Sequence, residues 1–184
     1  MAITDLTPGK WDVDPTHSAV TFQVRHMMVS KVRGSFHDFH ADVNIAPDPL
    51  RSKVTAEVNM KSIDTGNNDR DNHLRTNDFF DIDTYPTMNL DSTGFEQKGD
   101  DEFLMHSVLT LRGVSKPVTF RLEFGGVGTD PWGKLRAGFT ANATINRKDF
   151  GIEWNAPLES GGVLVGDKVQ IELDVELVKA DLTS

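Results

Sequence analysis

The chain has 184 residues, with nineteen Lys and Arg against twenty-eight Asp and Glu, for a formal net charge of −9. That balance disfavours nucleic acid and anionic membrane surfaces as partners, and the absence of cysteine removes disulfides, thiolate metal sites and cysteine nucleophiles. A chain of this length fits one domain, residues 1–184, that buries roughly 70% of the surface its unfolded form exposes.

The N-terminal stretch MAITDLTPGKWDVDPTHS carries acidic residues and no apolar run of signal-peptide length. No later segment approaches the ~20 apolar residues that a spanning helix needs. The expectation is a soluble, cytoplasmic protein.

From Trp11 onward the dominant pattern is alternation, the signature of half-buried strands. Val20, Phe22, Val24, His26 and Met28 share one face of the first long run, with Thr21, Gln23 and Arg25 on the other. Phe36 and then Phe39, Ala41, Val43 and Ile45 follow, and the parity shift between Phe36 and Phe39 predicts a bulge at His37-Asp38. Pro47 and Pro49 force a turn, after which Val54, Ala56, Val58 and Met60 alternate with Thr55, Glu57 and Asn59.

The stretch Asn67 to Pro86, NNDRDNHLRTNDFFDIDTYP, is the part that does not read as strand. Asn67 and Asn68 can cap a helix, Asp69 and Asp71 suit its positive first turn, and Pro86 stops it. This predicts a short helical lid, at about 67–86, between two strands. Beyond it come a weaker strand ending near Phe95 and a hairpin loop at 97–102. A strand follows with Phe103, Met105, Ser107, Leu109 and Leu111 on one face. RGVSKP reads as a turn before Val118, Phe120, Leu122 and Phe124, and GGVGTDPWGK as another. The last two strands present Leu135, Ala137, Phe139, Ala141, Ala143 and Ile145, then Val169, Ile171, Leu173, Val175 and Leu177.

Eight or nine one-sided strands leave aggregation-prone edges unless the sheet closes, so the fold class is all-β, a closed antiparallel barrel of about eight strands. Ala41, Ala56, Ala137, Ala141, Ala143 and Ser107 fall on the inward parity among larger residues. Small residues there either leave a tunnel or interdigitate with phenylalanines into a filled core. The lid favours the tunnel, since Phe79 and Phe80 beside Arg70, Asn72, His73 and Arg75 can cap an apolar opening and offer polar groups to a head group.

The blocks DPTHSAVTFQVRHMMVSKVRGSF, DRDNHLRTNDFFDIDTYP, LTLRGVSKPVTF and NRKDFGIEW, in this order, resemble the YceI-like family and span most of the chain. The resemblance implies a lipocalin-like barrel, often a homodimer, whose internal pore binds polyisoprenoid chains or related amphiphiles such as isoprenoid quinones. It implies no enzymatic activity. Many members of that family look secreted, so a periplasmic location is the alternative by resemblance.

On that expectation the pore is lined by Phe22, Val24, His26, Phe36, Val58, Met60, Leu90, Leu109, Phe120, Phe139, Ala141, Ala143 and Leu173. Phe79 and Phe80 join from the lid and Trp154 from the closing block. The head group is expected at Arg70, His73, Arg75 and Arg147. Each of these also has a plainer role available. His26 can donate to a ligand oxygen or stay bonded within the core. Arg147 can meet an anionic head group or pair with Asp149 or a lid aspartate. Arg70 and Arg75 can clamp phosphate or brace the helix against the neighbouring aspartates.

His17 and Ser18, adjacent on a strand, point to opposite faces and make no nucleophile–base pair. His37 and His40 also face apart unless the bulge joins them, and the acids of 64–83 lack the glycine and terminal glutamate of a calcium loop. Gly125, Gly126 and Gly128 do not precede a helix, which excludes a dinucleotide fingerprint. The expectation is therefore a lipid-binding protein with no metal or cofactor. The alternatives are an enzyme using His26, His73 and Arg147 on a prenyl diphosphate or quinone, and a filled structural barrel.

Overall fold

The structure, a computed structural model, describes residues 2–181. Among these, eleven strand segments form one antiparallel sheet: β1 (Gly9–Val13), β2 (Ala19–His26), β3 (Ser30–Phe36), β4 (Phe39–Ile45), β5 (Lys53–Asn59), β6 (Ile63–Asp64), β7 (Thr87–Gln97), β8 (Glu102–Leu111), β9 (Val114–Thr129), β10 (Leu135–Asn146) and β11 (Val165–Lys179). Their order, β1-β4-β5-β7-β8-β9-β10-β11, closes on itself because β11 also pairs with β1. β2, β3 and β6 extend the staves of β1, β4 and β5, so the chain is an eight-stave up-and-down barrel with no free edge along most of its height.

Three breaks split staves into segments. The expected bulge at His37-Asp38 is the one between β3 and β4, where Asp38 holds Asn59 across the gap through backbone and side chain. β2 ends at His26, and Met27 and Met28 lie in the following turn at positive φ, so Met28 does not share the strand's face. RGVSKP is mostly strand: only Arg112 and Gly113, both at positive φ, make the turn, since two residues suffice for a tight hairpin. β9 likewise runs through GGVGT to Thr129, with a register shift opposite Gly138 absorbing the glycines. β7 runs to Gln97, beyond the expected end.

The helix α1 (Asn68–Arg75) closes one end, which also carries the β2–β3 and β8–β9 turns and the 147–164 connection. Asn67 caps it through Arg70 N–H at 3.0 Å. Buried Asp71 accepts from Thr65 N–H at 2.9 Å and from the Thr65 hydroxyl. The helix is clamped from three sides. Arg75 donates to the Lys61 and Ile63 carbonyls, Arg112 donates to the Asn77 carbonyl, and the His73 and Phe79 rings pack on Trp154. At the opposite end the N-terminal turn (Ile3–Asp5) tucks Leu6 inward, and fully buried Trp11 donates Nε1–H to the Thr7 carbonyl at 2.9 Å.

Candidate functional site

Space inside the barrel is unevenly distributed. The inward residues of β8, Phe103 to Leu111, are all buried, whereas Ala41, Val54, Ala56, Ile171, Leu173 and Val175 on β4, β5 and β11 are only half-buried although they face inward. Against them lies a cavity of about 210 Å³, walled almost wholly by apolar side chains. It occupies the middle of the barrel and the end away from α1, where Ile3, Leu6, Pro49 and Leu50 form its floor. The lid end is filled instead by Phe36, Met60, Ile63, Phe79, Phe150 and Ile152.

Of the residues expected to line a pore, Val58, Leu90, Leu109, Phe120, Phe139, Ala141 and Leu173 border this cavity. Phe36, Met60 and Phe79 are buried in the packed lid end, with Phe80 and Trp154 half-buried against them. Phe22 fits there because Gly34 faces it: a Cβ at Gly34 would sit only 2.6 Å from Phe22 Cε1. Phe22 and Ala143 border a second, more polar depression that they share with Thr21, Gln23, Asn142 and Thr144. Val24 pairs with Val169 and Val32, apart from the cavity. Sequence reasoning missed the floor, Ile3, Leu6 and Leu50, because nothing in the alternation of strands tells which loop folds back over which end. The apolar Leu6 ahead of Trp11 was the available signal.

The expected head-group residues do not meet at the cavity. Arg147 is 4% exposed and donates to four backbone carbonyls: Gly166 (2.8 Å), Ile152 (2.9 Å), Trp154 (2.9 Å) and Val165 (3.3 Å). Its carboxylate neighbour is Asp167 at 3.9 Å, not Asp149 or a lid aspartate. Burial pulls its pKa below the ordinary value. These bonds spend its fork on stitching the 147–166 connection together. Arg70 is bound to the Thr65 hydroxyl (2.7 Å) and carbonyl (2.6 Å), Arg75 to Asn72 and two carbonyls, and His73 to Asp78 at 2.8 Å. His26 lies in a shallow groove with Lys31, Arg33, Thr65 and Arg70. His37 bonds Asp64 at 3.0 Å, while His40 sits apart on β4.

The one His–carboxylate grouping with metal-ligand spacing among the described residues is Asp14, His17 and Glu176. Arg136 already inserts a cation there, 2.8 Å from Asp14 and 3.3 Å from Glu176, with Asp130 behind it at 2.8 Å. This network bolts the β1–β2 break to β10 and β11. Asp14, through bonds from Thr16, His17 and Arg136, is held far below the usual carboxylate range, and the Asp14 bond followed by the field of Glu176 holds His17 above the usual imidazole range. A raised folded pKa means that the histidine's stabilisation is complete below its unfolded value of about 6.5 and is lost as pH rises through the folded value. The melting temperature of the native protein is thus expected to fall as pH rises above about 6.5. In His17→Gln this slope should flatten, as read by thermal melts; an unchanged slope would assign it elsewhere.

Comparison with known proteins agrees with this geometry. The model of the YceI-like domain matches residues 11–177. A UPF0312 protein of Staphylococcus epidermidis is 40% identical over 169 residues, covering 91% of this chain and 96% of the relative. Among solved structures, the Campylobacter jejuni YCEI protein superposes with a TM-score of 0.72 at 30% identity, covering 85% of this chain and 90% of that one. A polyisoprenoid binding domain from Saccharophagus degradans superposes with a TM-score of 0.71 at 14% identity, covering 95% of this chain and all of that domain, a likeness of fold. With the eight-stave barrel, its clamped helix and a family match that runs from Trp11 to Leu177, this chain belongs to the YceI-like family.

Proposed function

We propose that the protein binds the hydrocarbon chain of an isoprenoid lipid, such as a polyprenyl chain or an isoprenoid quinone, inside the barrel and holds or carries it. The observation that carries this reading is the apolar cavity inside the barrel. It has no lysine or arginine in its wall, so recognition falls on the chain and not on a phosphate. The polyisoprenoid binding domain of Saccharophagus degradans, alike in fold, supports the same class of ligand. Burying each methylene contributes about 0.8 kcal/mol, less the cost of ordering the chain.

Size sets a condition. At about 210 Å³ the cavity exceeds the ~150 Å³ that accepts benzene but is below the ~300 Å³ at which drug-sized sites begin. A long lipid therefore has to part the floor of Ile3, Leu6, Pro49 and Leu50, since the helical end is packed and clamped. The test is mass spectrometry of an organic extract of gently purified protein, with native mass spectrometry of the intact complex. Stoichiometric neutral isoprenoid is expected, with quinones and prenyl alcohols bound as well as diphosphates. An extract without lipid, together with no uptake of an apolar fluorescent probe, would reduce the molecule to a structural barrel.

A further inference from the structure

Five large hydrophobic residues are exposed among the described residues, and four lie together at the helical end: Met27 (46%), Met28 (54%), Val29 (81%) and Val163 (37%). The first three form the tip of the β2–β3 hairpin. Val163 joins them from the 156–164 loop, which is tied to the hairpin by the bond from Met27 N–H to the Leu164 carbonyl at 2.8 Å. Gly162 lies against the Met28 side chain, where an added Cβ would be 3.1 Å from Met28 Cγ.

The turn itself is chosen against local preference. Met27 (φ 53) and Met28 (φ 64) are the central residues of the turn that the Val29 N–H to His26 carbonyl bond closes at 3.2 Å, and both sit in the left-handed region, where such a turn favours Asn-Gly. The flanks break a second rule. Arg25 and Lys31 are directly opposed across β2 and β3, and like charges in that position repel. Arg33 follows two residues after Lys31, and Arg70 faces the same groove. None of these four cations has an ion-pair partner among the described residues, although the chain has nine more acids than bases. No Asp or Glu occurs between Asp14 and Asp38. Of the nearest acids, Asp64 is engaged by His37 and Asp167 by Lys148, while Glu159 sits in the adjoining loop.

An apolar tip ringed by unpaired cations matches an interface where hydrocarbon lies just beneath anionic groups. We infer that the β2–β3 hairpin is a docking element for an anionic lipid bilayer, with Met27, Met28 and Val29 entering the head-group boundary and Arg25, Lys31 and Arg33 meeting its phosphates. The net negative charge of the whole chain does not oppose this, because screening confines the interaction to charges within about 10 Å of the surface. A second copy of the chain fits less well. A convex three-residue tip offers little of the roughly 800 Å² per partner that a stable interface buries, and a two-fold pairing would set the same cations against each other.

The inference goes beyond the cargo reading, and its test reads the hairpin alone: sedimentation with vesicles of phosphatidylcholine, or of phosphatidylcholine mixed with phosphatidylglycerol, at low and high salt. The native protein is expected to bind the anionic vesicles and to be released by salt. Lys31→Glu and Arg33→Glu should each weaken binding about fivefold or more. Met27→Asn with Met28→Gly, which gives the turn its preferred residues, should melt no lower than the native protein yet bind at least tenfold more weakly, while its extracted cargo stays unchanged. Trp132→Ser, at the far end, should bind as the native protein does. No native binding, equal binding by the Asn-Gly variant, or a native dimer that this variant converts to monomer would overturn the proposal, the last by assigning the tip to a second copy.

Discussion

Replacing Arg147 by methionine is expected to cost roughly 3–5 kcal/mol of stability, the largest loss from any single substitution considered for this chain. The reason is local. Three carbonyls, those of Ile152, Trp154 and Gly166, have their side-chain donor in one guanidinium that is almost completely buried, and a fourth, that of Val165, shares it with the Asn155 amide at 2.7 Å. Each carbonyl left without a donor costs about 1–3 kcal/mol, reduced where water enters. For a domain of this size the melting temperature should drop by roughly 6–20 °C. Arg147→Lys should recover less than half, because one ammonium on a single stem cannot reach carbonyls that the planar fork meets from several sides. Denaturant unfolding followed by tryptophan fluorescence measures both variants. A loss under about 1 kcal/mol for Arg147→Met would mean that the connection holds itself together without the guanidinium.

The second large effect concerns cargo. Ala141, whose neighbours in register are Leu122 and Leu173, borders the cavity and is buried, and phenylalanine there should fill much of the space. Extracted isoprenoid is expected to fall at least tenfold. Overpacking a full core costs about 1–3 kcal/mol, but a ring that enters empty space avoids most of that, so the variant should remain folded. Ala56→Phe, at a half-buried position on the facing wall, provides the same blockade by an independent route. If both variants fold and retain native amounts of lipid, the cargo does not occupy this cavity.

These two residues also show what pattern alone conveys. Ala141 and Arg147 share the inward parity of β10, and alternation placed both facing the barrel. Parity carries a side chain's direction, not its surroundings. Ala141 meets open space because Leu173 and Ala56 leave room there. Arg147 lies past the last regular pair, where the chain turns into a short 3-10 helix and the fork meets carbonyls from residues up to nineteen positions away. The lid behaves in the same way. Its cap at Asn67 and its first-turn acids are local and were legible, whereas the helix ends at Arg75, capped by Thr76 well before the expected stop at Pro86, and which end of the barrel is hollow depends on side chains brought together from all eight staves.

By itself the sequence determined the class, the closure and the family: period-two alternation, the bulge at His37-Asp38, a helix capped at Asn67-Asn68 and four ordered motif blocks are all local features, written within a few residues of one another. Tertiary structure alone decided that the helical end is packed, that the cavity lies towards Leu6 and Leu50, that the expected head-group arginines are spent on backbone carbonyls and side chains within the fold, and that Met27 to Val29 stand exposed among cations. The physical reason is common to all four. Volume, donor satisfaction and exposure are properties of residues far apart in the chain once the staves have closed, and no local pattern encodes how those distant surfaces divide the interior between packing and space.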